Sequence, residues 1–167
     1  ISQWLVDLMA EHDRIDDVDV VANAIDLAQF DAPPREKNAS PAVGTVFTDK
    51  PQKGADIAIE AWRIARKTHA DLRLVAFGTK DRTSPPHLPD EAEYHYMVDD
   101  DAIPGIYASC DAWLFASRRE GYGLPLLEAM ACRTPVIAAP GGAAPEVMSD
   151  GGGVLVPHDD PDAMARE

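Results

Sequence analysis

DAWLFASRREGYGLPLLEAMACRTPVIA, Asp111 to Ala138, holds two strand-like apolar runs, DAWLFA and PVIA, separated by a glycine-rich turn and an apolar helical stretch. Gly121 and Gly123 permit backbone angles closed to other residues. Pro125 suits the first turn of a helix, where its missing N–H does no harm. Strand, turn, helix and strand in this order make a parallel crossover unit, because two parallel strands cannot be joined by a tight hairpin.

The same alternation extends on both sides of this stretch. Upstream, strands are expected at Ala42 to Phe47, Leu72 to Phe77, Glu93 to Met97 and Asp111 to Ala116, with helices at Gly54 to His69 and Ala102 to Cys110. The first of these helices places Ile57, Ala61, Ile64 and Ala65 on one face. Downstream come the strand Pro135 to Ala138, a short helix near Ala143 to Ser149 and the strand Gly153 to Val156. The pattern predicts an α/β fold, a Rossmann-like parallel sheet with helices on both faces. Ligands of such sheets bind beyond the carboxyl ends of the strands. Ahead of this region, Ser2 to Glu11 has helical spacing with Ser2 as N-cap, and Asp19 to Ala22 is expected as a short strand. NAIDLAQFDAPPREKNASP, with its three prolines, is linker-like. The expected division is therefore 1–40, the end of a preceding domain with its linker, and 41–167, one ligand-binding domain. The chain opens on Ile1 and closes in DDPDAMARE, the first turns of a helix, so a longer parent protein is expected.

Composition excludes several classes of function. At 167 residues and 46% hydrophobic content the chain is a globular domain, with no apolar run long enough to span a membrane. A net charge of −14 repels nucleic acid and anionic lipid, so a phosphate-bearing ligand must be held by a local device. Cys110 and Cys132 have no metal spacing and are expected as reduced, buried thiols. The five histidines form no cluster, and no nucleophile elbow is present. The first strand runs into FTDKPQKG where a nicotinamide enzyme would carry GxGxxG.

Three loops at the carboxyl edge carry candidate chemistry. Amides at Gly121, Tyr122, Gly123 and Leu124 would point outward at a helix N-terminus, where anions are favoured. Glu128 lies roughly 6 Å further along at 1.5 Å rise per residue, within an apolar run, and could accept hydrogen bonds from a vicinal diol such as a ribose. Glu120, ahead of the helix, could meet the other side of the same ligand. Spacing alone leaves a second reading open, in which both are solvated acids and Glu128 pairs with Arg133. Lys53, just before Gly54 and a helix start, would oppose the helix dipole unless an anion lay between them; Lys50 is the other candidate cation. PGGAAPEV brings Gly141 and Gly142 to a third such turn.

EGYGLPLLEAMACRTPVIA, together with PGGAAPEV and GGGVLVPHDD, resembles the C-terminal half of family 4 retaining glycosyltransferases of GT-B architecture. VANAIDLAQF is similar to the interdomain segment of that family, QKGADIAIEAW to its lysine–glycine helix start, LRLVAFG to the next strand, and IPGIYASCDAWLFAS to the helix and strand before the glutamates. The resemblance runs from about Val20 to the end. It implies a nucleotide-sugar donor, with Glu128 on the ribose and Glu120, the catalytic candidate, at the transferred sugar. Gly121 to Leu124 would cradle sugar and diphosphate, Lys53 and Gly54 would serve the diphosphate, and Gly78, Met97 and Val98 would line the base pocket. It further implies hexosyl transfer with retention, in cell-surface polysaccharide synthesis, to a glycan or lipid-linked sugar acceptor held by the missing N-terminal domain. No metal and no other cofactor is expected, and the implied location is cytoplasmic, at most peripheral to the inner membrane. A sugar-nucleotide epimerase of GT-B shape and a degenerate nucleotide- or partner-binding module are the alternatives. Two positions depart from the pattern. Thr48 stands where the family often has arginine, leaving Lys50 or Arg118 as substitutes, and Arg133 stands where glycine usually caps the helix.

Overall fold

The computed structural model describes residues 2–12, 19–34, 36 and 38–167. Its centre is a six-stranded, all-parallel sheet in the order β3-β2-β1-β4-β5-β6. The strands are β1 (Ala42–Phe47), β2 (Arg73–Gly78), β3 (Glu93–Tyr96), β4 (Ala112–Phe115), β5 (Val136–Ala138) and β6 (Gly153–Leu155). The helices are α1 (Gln3–His12), α2 (Ala55–Ala65), α3 (Ile103–Ala108), α4 (Leu124–Ala131), α5 (Ala144–Val147) and α6 (Pro161–Arg166). The Rossmann-like reading of the sequence therefore holds.

Strand periodicity buries apolar side chains on both faces of the sheet, in three clusters. Along β4, Trp113 and Phe115 enter one layer with Tyr107, Leu126 and Ala129. Leu114 and Ala116 enter the other with Ala58, Ala61 and Met164. Alternation of side chains along a strand covered on both sides requires this division. Trp113 and Tyr107 meet edge to face with centroids 4.4 Å apart, and Phe77 closes on both rings. Cys110 and Cys132 are buried reduced cysteines, and burial pushes Cys132 up to about 11, which makes it a poor nucleophile at neutral pH.

The structure corrects the sequence reading in several places. Residues 19–22 form no strand: Val20 and Val21 are exposed, and no neighbouring strand offers them a ladder. α2 stops at Ala65 and α5 spans only Ala144–Val147, both shorter than their apolar pattern. α1 forms as expected, with Ser2 Oγ accepting from the Leu5 amide, and no α1 residue is buried. Residues 13–18 of the expected 1–40 segment lie outside the described residues. Arg133 takes the left-handed conformation, φ 60°, that a capping glycine would adopt without strain. Its Nε donates to the Ala32 carbonyl at 2.6 Å, tying the linker-like segment to the end of α4.

Candidate functional site

From β1 the chain order steps through β2 to β3 on one side, and from β4 through β5 to β6 on the other. The loops leaving β1 and β4 therefore part at the carboxyl edge and open a crevice between them. A cavity of about 320 Å³ lies there, at the lower end of the range for small-molecule sites. Its apolar floor includes Phe77, Trp113 and Phe115. Its rim is polar: Lys50 and Lys53 follow β1, Gly78 and Thr79 close β2, Met97, Val98 and Asp100 follow β3, and Ser117 and Glu120 follow β4.

Lys53 ends a single 3-10 turn, Pro51–Lys53, that stops at Gly54 with φ 66°. A Cβ on Gly54 would lie 1.9 Å from the Ala116 carbonyl oxygen, so only glycine lets this turn press against the end of β4. That approach brings Lys53 Nζ to 2.6 Å from Glu120 Oε2. The other Glu120 oxygen accepts from the Gly121 amide at 3.2 Å, and Ser117 Oγ stands 3.4 Å from Oε2. The loop before α5 supports this glutamate from behind. Gly142, φ 59°, lies so close that a Cβ there would come within 2.3 Å of the Glu120 carbonyl.

Glu128 has a different environment. Its Oε2 accepts a 2.7 Å hydrogen bond from the fully buried Tyr107 hydroxyl. Burial raises its pKa above the usual glutamate range, the tyrosine bond pulls it back down, and the charge of Asp100 adds to the rise. The pairing with Arg133 does not form, since that side chain turns to Ala32 and Asp31. Glu128 is three residues beyond Pro125, which stands in the cavity wall, so it lies on the same side of α4 as the cavity.

Of the residues expected from the sequence, Lys53, Gly78, Met97, Val98 and Glu120 border the cavity. Gly54, Gly121, Tyr122, Gly123, Leu124 and Glu128 are not part of its wall. The amides of Tyr122, Gly123 and Leu124 donate to no group among the described residues, and a Cβ on Gly121 would meet nothing within 4 Å. Arg118 faces away from the cavity and is held by Asp56 and Asp159, so Lys50 is the second cation at the rim. Sequence reasoning missed Asp100 and Tyr107. Asp100 sits in an acidic run typical of a helix start, and Tyr107 in an apolar helix; neither local pattern reveals what its side chain meets. Among the described residues no group of three or more His, Cys, Asp or Glu could hold a metal ion. Among the described residues no helix is long and apolar enough to cross a membrane.

A parallel sheet with a cationic and acidic rim at its switch point defines a ligand-binding α/β domain of Rossmann type. The sequence profile described as glycosyl transferases group 1 matches residues 41–167, and the chain belongs to that family. It is 32% identical over 157 residues to a phosphatidyl-myo-inositol mannosyltransferase of Mycolicibacterium smegmatis, covering 87% of this chain and 40% of that protein. The C-terminal domain of a group 1 glycosyl transferase (LpcC) from Francisella tularensis superposes with a TM-score of 0.69 at 25% identity, over 86% of this chain and 85% of that one. Anabaena Alr3699/HepE, solved with UDP and glucose, gives a TM-score of 0.68 at 22% identity, over 86% of this chain and 44% of that one. The chain spans less than half the length of the curated relatives it matches.

Proposed function

We propose that this chain is the donor-binding half of a GT-B glycosyltransferase that transfers a hexosyl group from a nucleotide-diphosphate sugar with retention of configuration. The observation that carries the reading is the Lys53–Glu120 pair at the switch-point cavity, with Glu128 one to two turns along the helix that starts at its edge. The base enters between Gly78 and the Met97–Val98 edge, over the apolar floor. The diphosphate lies against Lys53 and the open amides of Tyr122 to Leu124, and Lys50 supplies the second positive charge. The ribose hydroxyls meet Glu128, whose Oε1 makes no bond to any described residue.

In the free protein Lys53 rests on Glu120, which neutralises both groups in a partly buried place. An arriving diphosphate competes for the ammonium and frees Glu120 to accept hydrogen bonds from the transferred sugar. As the nucleotide leaves, Lys53 stabilises the charge that develops on the diphosphate, a contact stronger in the transition state than in the ground state. The two lysines supply this charge without a metal. The acceptor, a glycan or lipid-linked sugar in surface polysaccharide or glycolipid synthesis, is read by the N-terminal half of the parent protein at the cytoplasmic side of the membrane. The UDP held by the Anabaena structural neighbour supports this class of ligand.

The test is a calorimetric titration of the chain with UDP, GDP, dTDP and ADP and their sugars, followed by amide chemical shifts. One nucleotide is expected to bind and to shift the signals of Lys53 and residues 121–124, in chelator as well as without it. Absence of any response up to millimolar concentration, here and in the parent protein, would refute the reading.

A further inference from the structure

Lys53 stands on a support that is weak by itself. A single 3-10 turn has few hydrogen bonds of its own, here Lys53 N to Lys50 O at 2.9 Å and Gly54 N to Pro51 O at 3.2 Å. The remaining bonds to Pro51 and Gln52 come from the loop that leaves β4. Arg118 Nη1 donates to the Pro51 carbonyl at 2.7 Å. The Arg118 and Arg119 amides both donate to the Gln52 carbonyl, at 2.8 and 3.2 Å. Beyond Lys53 the same guanidinium grips Asp56 with two parallel bonds, 2.9 and 2.7 Å. Arg118 thus holds the chain on both sides of Lys53, two residues before and three after. Its fourth contact runs from Nε to Asp159, a non-glycine residue in the left-handed region at φ 54°.

We propose that Arg118 is a positioning residue for the anion site: turned away from the cavity, it locks the Lys53 turn to the loop that carries Glu120 and so sets where the Lys53 ammonium stands. The inference rests on the role assigned above to Lys53. A guanidinium suits the task because its planar fork serves a carbonyl and two carboxylates at fixed angles, which a single ammonium cannot do. Asp159 orients the fork from its far side and draws the turn before α6 into the same assembly. Arg118 touches no ligand; it acts through Lys53.

A double-mutant cycle on this chain tests the inference, with UDP, GDP, dTDP and ADP as probes and the matching nucleosides as controls. Arg118→Met is expected to weaken binding of the preferred diphosphate by roughly tenfold while leaving its nucleoside unchanged. Added to Lys53→Met it should cost less than about twofold, since effects that pass through a shared group do not add. Arg118→Lys, which keeps the charge and loses the fork, should behave like Arg118→Met. Equal losses in both backgrounds, or full rescue by lysine, would overturn the proposal. Hydrogen exchange of the Lys53 and Gly54 amides in the free chain gives a readout independent of any ligand. It should be faster in a folded Arg118→Met chain, and unchanged exchange also overturns the proposal. If wild type binds none of UDP, GDP, dTDP and ADP, in this chain and in the parent protein, or Lys53→Met is without effect on binding, the donor-site reading fails, while the exchange rates still decide whether Arg118 holds the turn.

Discussion

Glu120 and Glu128 belong to one sequence motif, yet the two regions that receive them solve opposite problems. Glu120 lies in a loop, 13% exposed, with an ammonium at 2.6 Å. Glu128 lies on a helix against a neutral, buried phenol. The first acid has its charge balanced inside the chain before any ligand arrives. The second keeps an unbalanced charge in a half-buried place, at a cost to stability shown by its raised pKa. A loop can bring a lysine from another crossover to its acid, whereas Glu128, fixed on α4, meets only the Tyr107 hydroxyl of α3 among the described residues. The Glu120 region is preorganised by charge and the Glu128 region by packing.

The sharpest way to break the packed side is Trp113→Ala. Trp113 is 1% exposed and supports the Tyr107 ring, so about 3–5 kcal/mol of stability should be lost in urea unfolding. A loss below about 1 kcal/mol would show that the aromatic cluster does not hold that region. Next in size, Glu128→Gln should cost about 1–3 kcal/mol of nucleotide affinity through the imperfectly matched diol; unchanged affinity would refute the ribose assignment. The same variant sharpens the contrast through pH. A carboxyl whose folded pKa is raised binds its proton more tightly in the folded state, so stability falls as pH rises through the window from the unfolded to the folded value. Glu128→Gln should therefore be more stable than wild type at pH 7, and this advantage should vanish at pH values below the unfolded glutamate pKa. Asp56 has the opposite sign: Arg118 holds its pKa down, and its contribution is lost as pH falls through that lowered value.

A smaller effect is expected from Tyr107→Phe, about 0.5–1.5 kcal/mol in stability, because it removes one hydrogen bond to Glu128 with the ring in place. The Glu128 pKa should rise further, which carbon-detected NMR titration would read; a fall would show that the phenol is not its stabilising partner. The smallest stability change belongs to Lys53→Met, within about 0.2–1 kcal/mol, since Lys53 is 38% exposed and screened by solvent. Its effect on diphosphate affinity should exceed its effect on unfolding. The reverse order would make the Lys53–Glu120 pair a structural bridge.

Much of this was legible in the residues. The run from Asp111 to Ala138 predicts strand, turn, helix and strand, and β4, α4 and β5 form there. Glycines at 54 and 142 mark turns where another backbone approaches too closely for a side chain. The exceptions have physical causes. DVVA at 19–22 has strand-like residues, but a strand needs a neighbour, and the sheet offers none at that place. Arg133 replaces a capping glycine and keeps the left-handed turn, with its side chain bonded to the Ala32 carbonyl.

The class of fold and the loops at the carboxyl edge were set by the sequence alone, because period and turn chemistry are local properties that a short window of residues records. Only the tertiary structure decided who meets whom. Lys53 and Glu120 are 67 residues apart, and Tyr107 and Glu128 are 21 apart. Arg118, a candidate ligand cation by sequence, is committed to Asp56 and Asp159 on the other side of its loop. The Lys53–Glu120 and Arg118–Asp56 pairings follow from placing β1 beside β4 in the sheet, and Tyr107–Glu128 from packing α3 on α4, non-local arrangements that no window of the sequence contains.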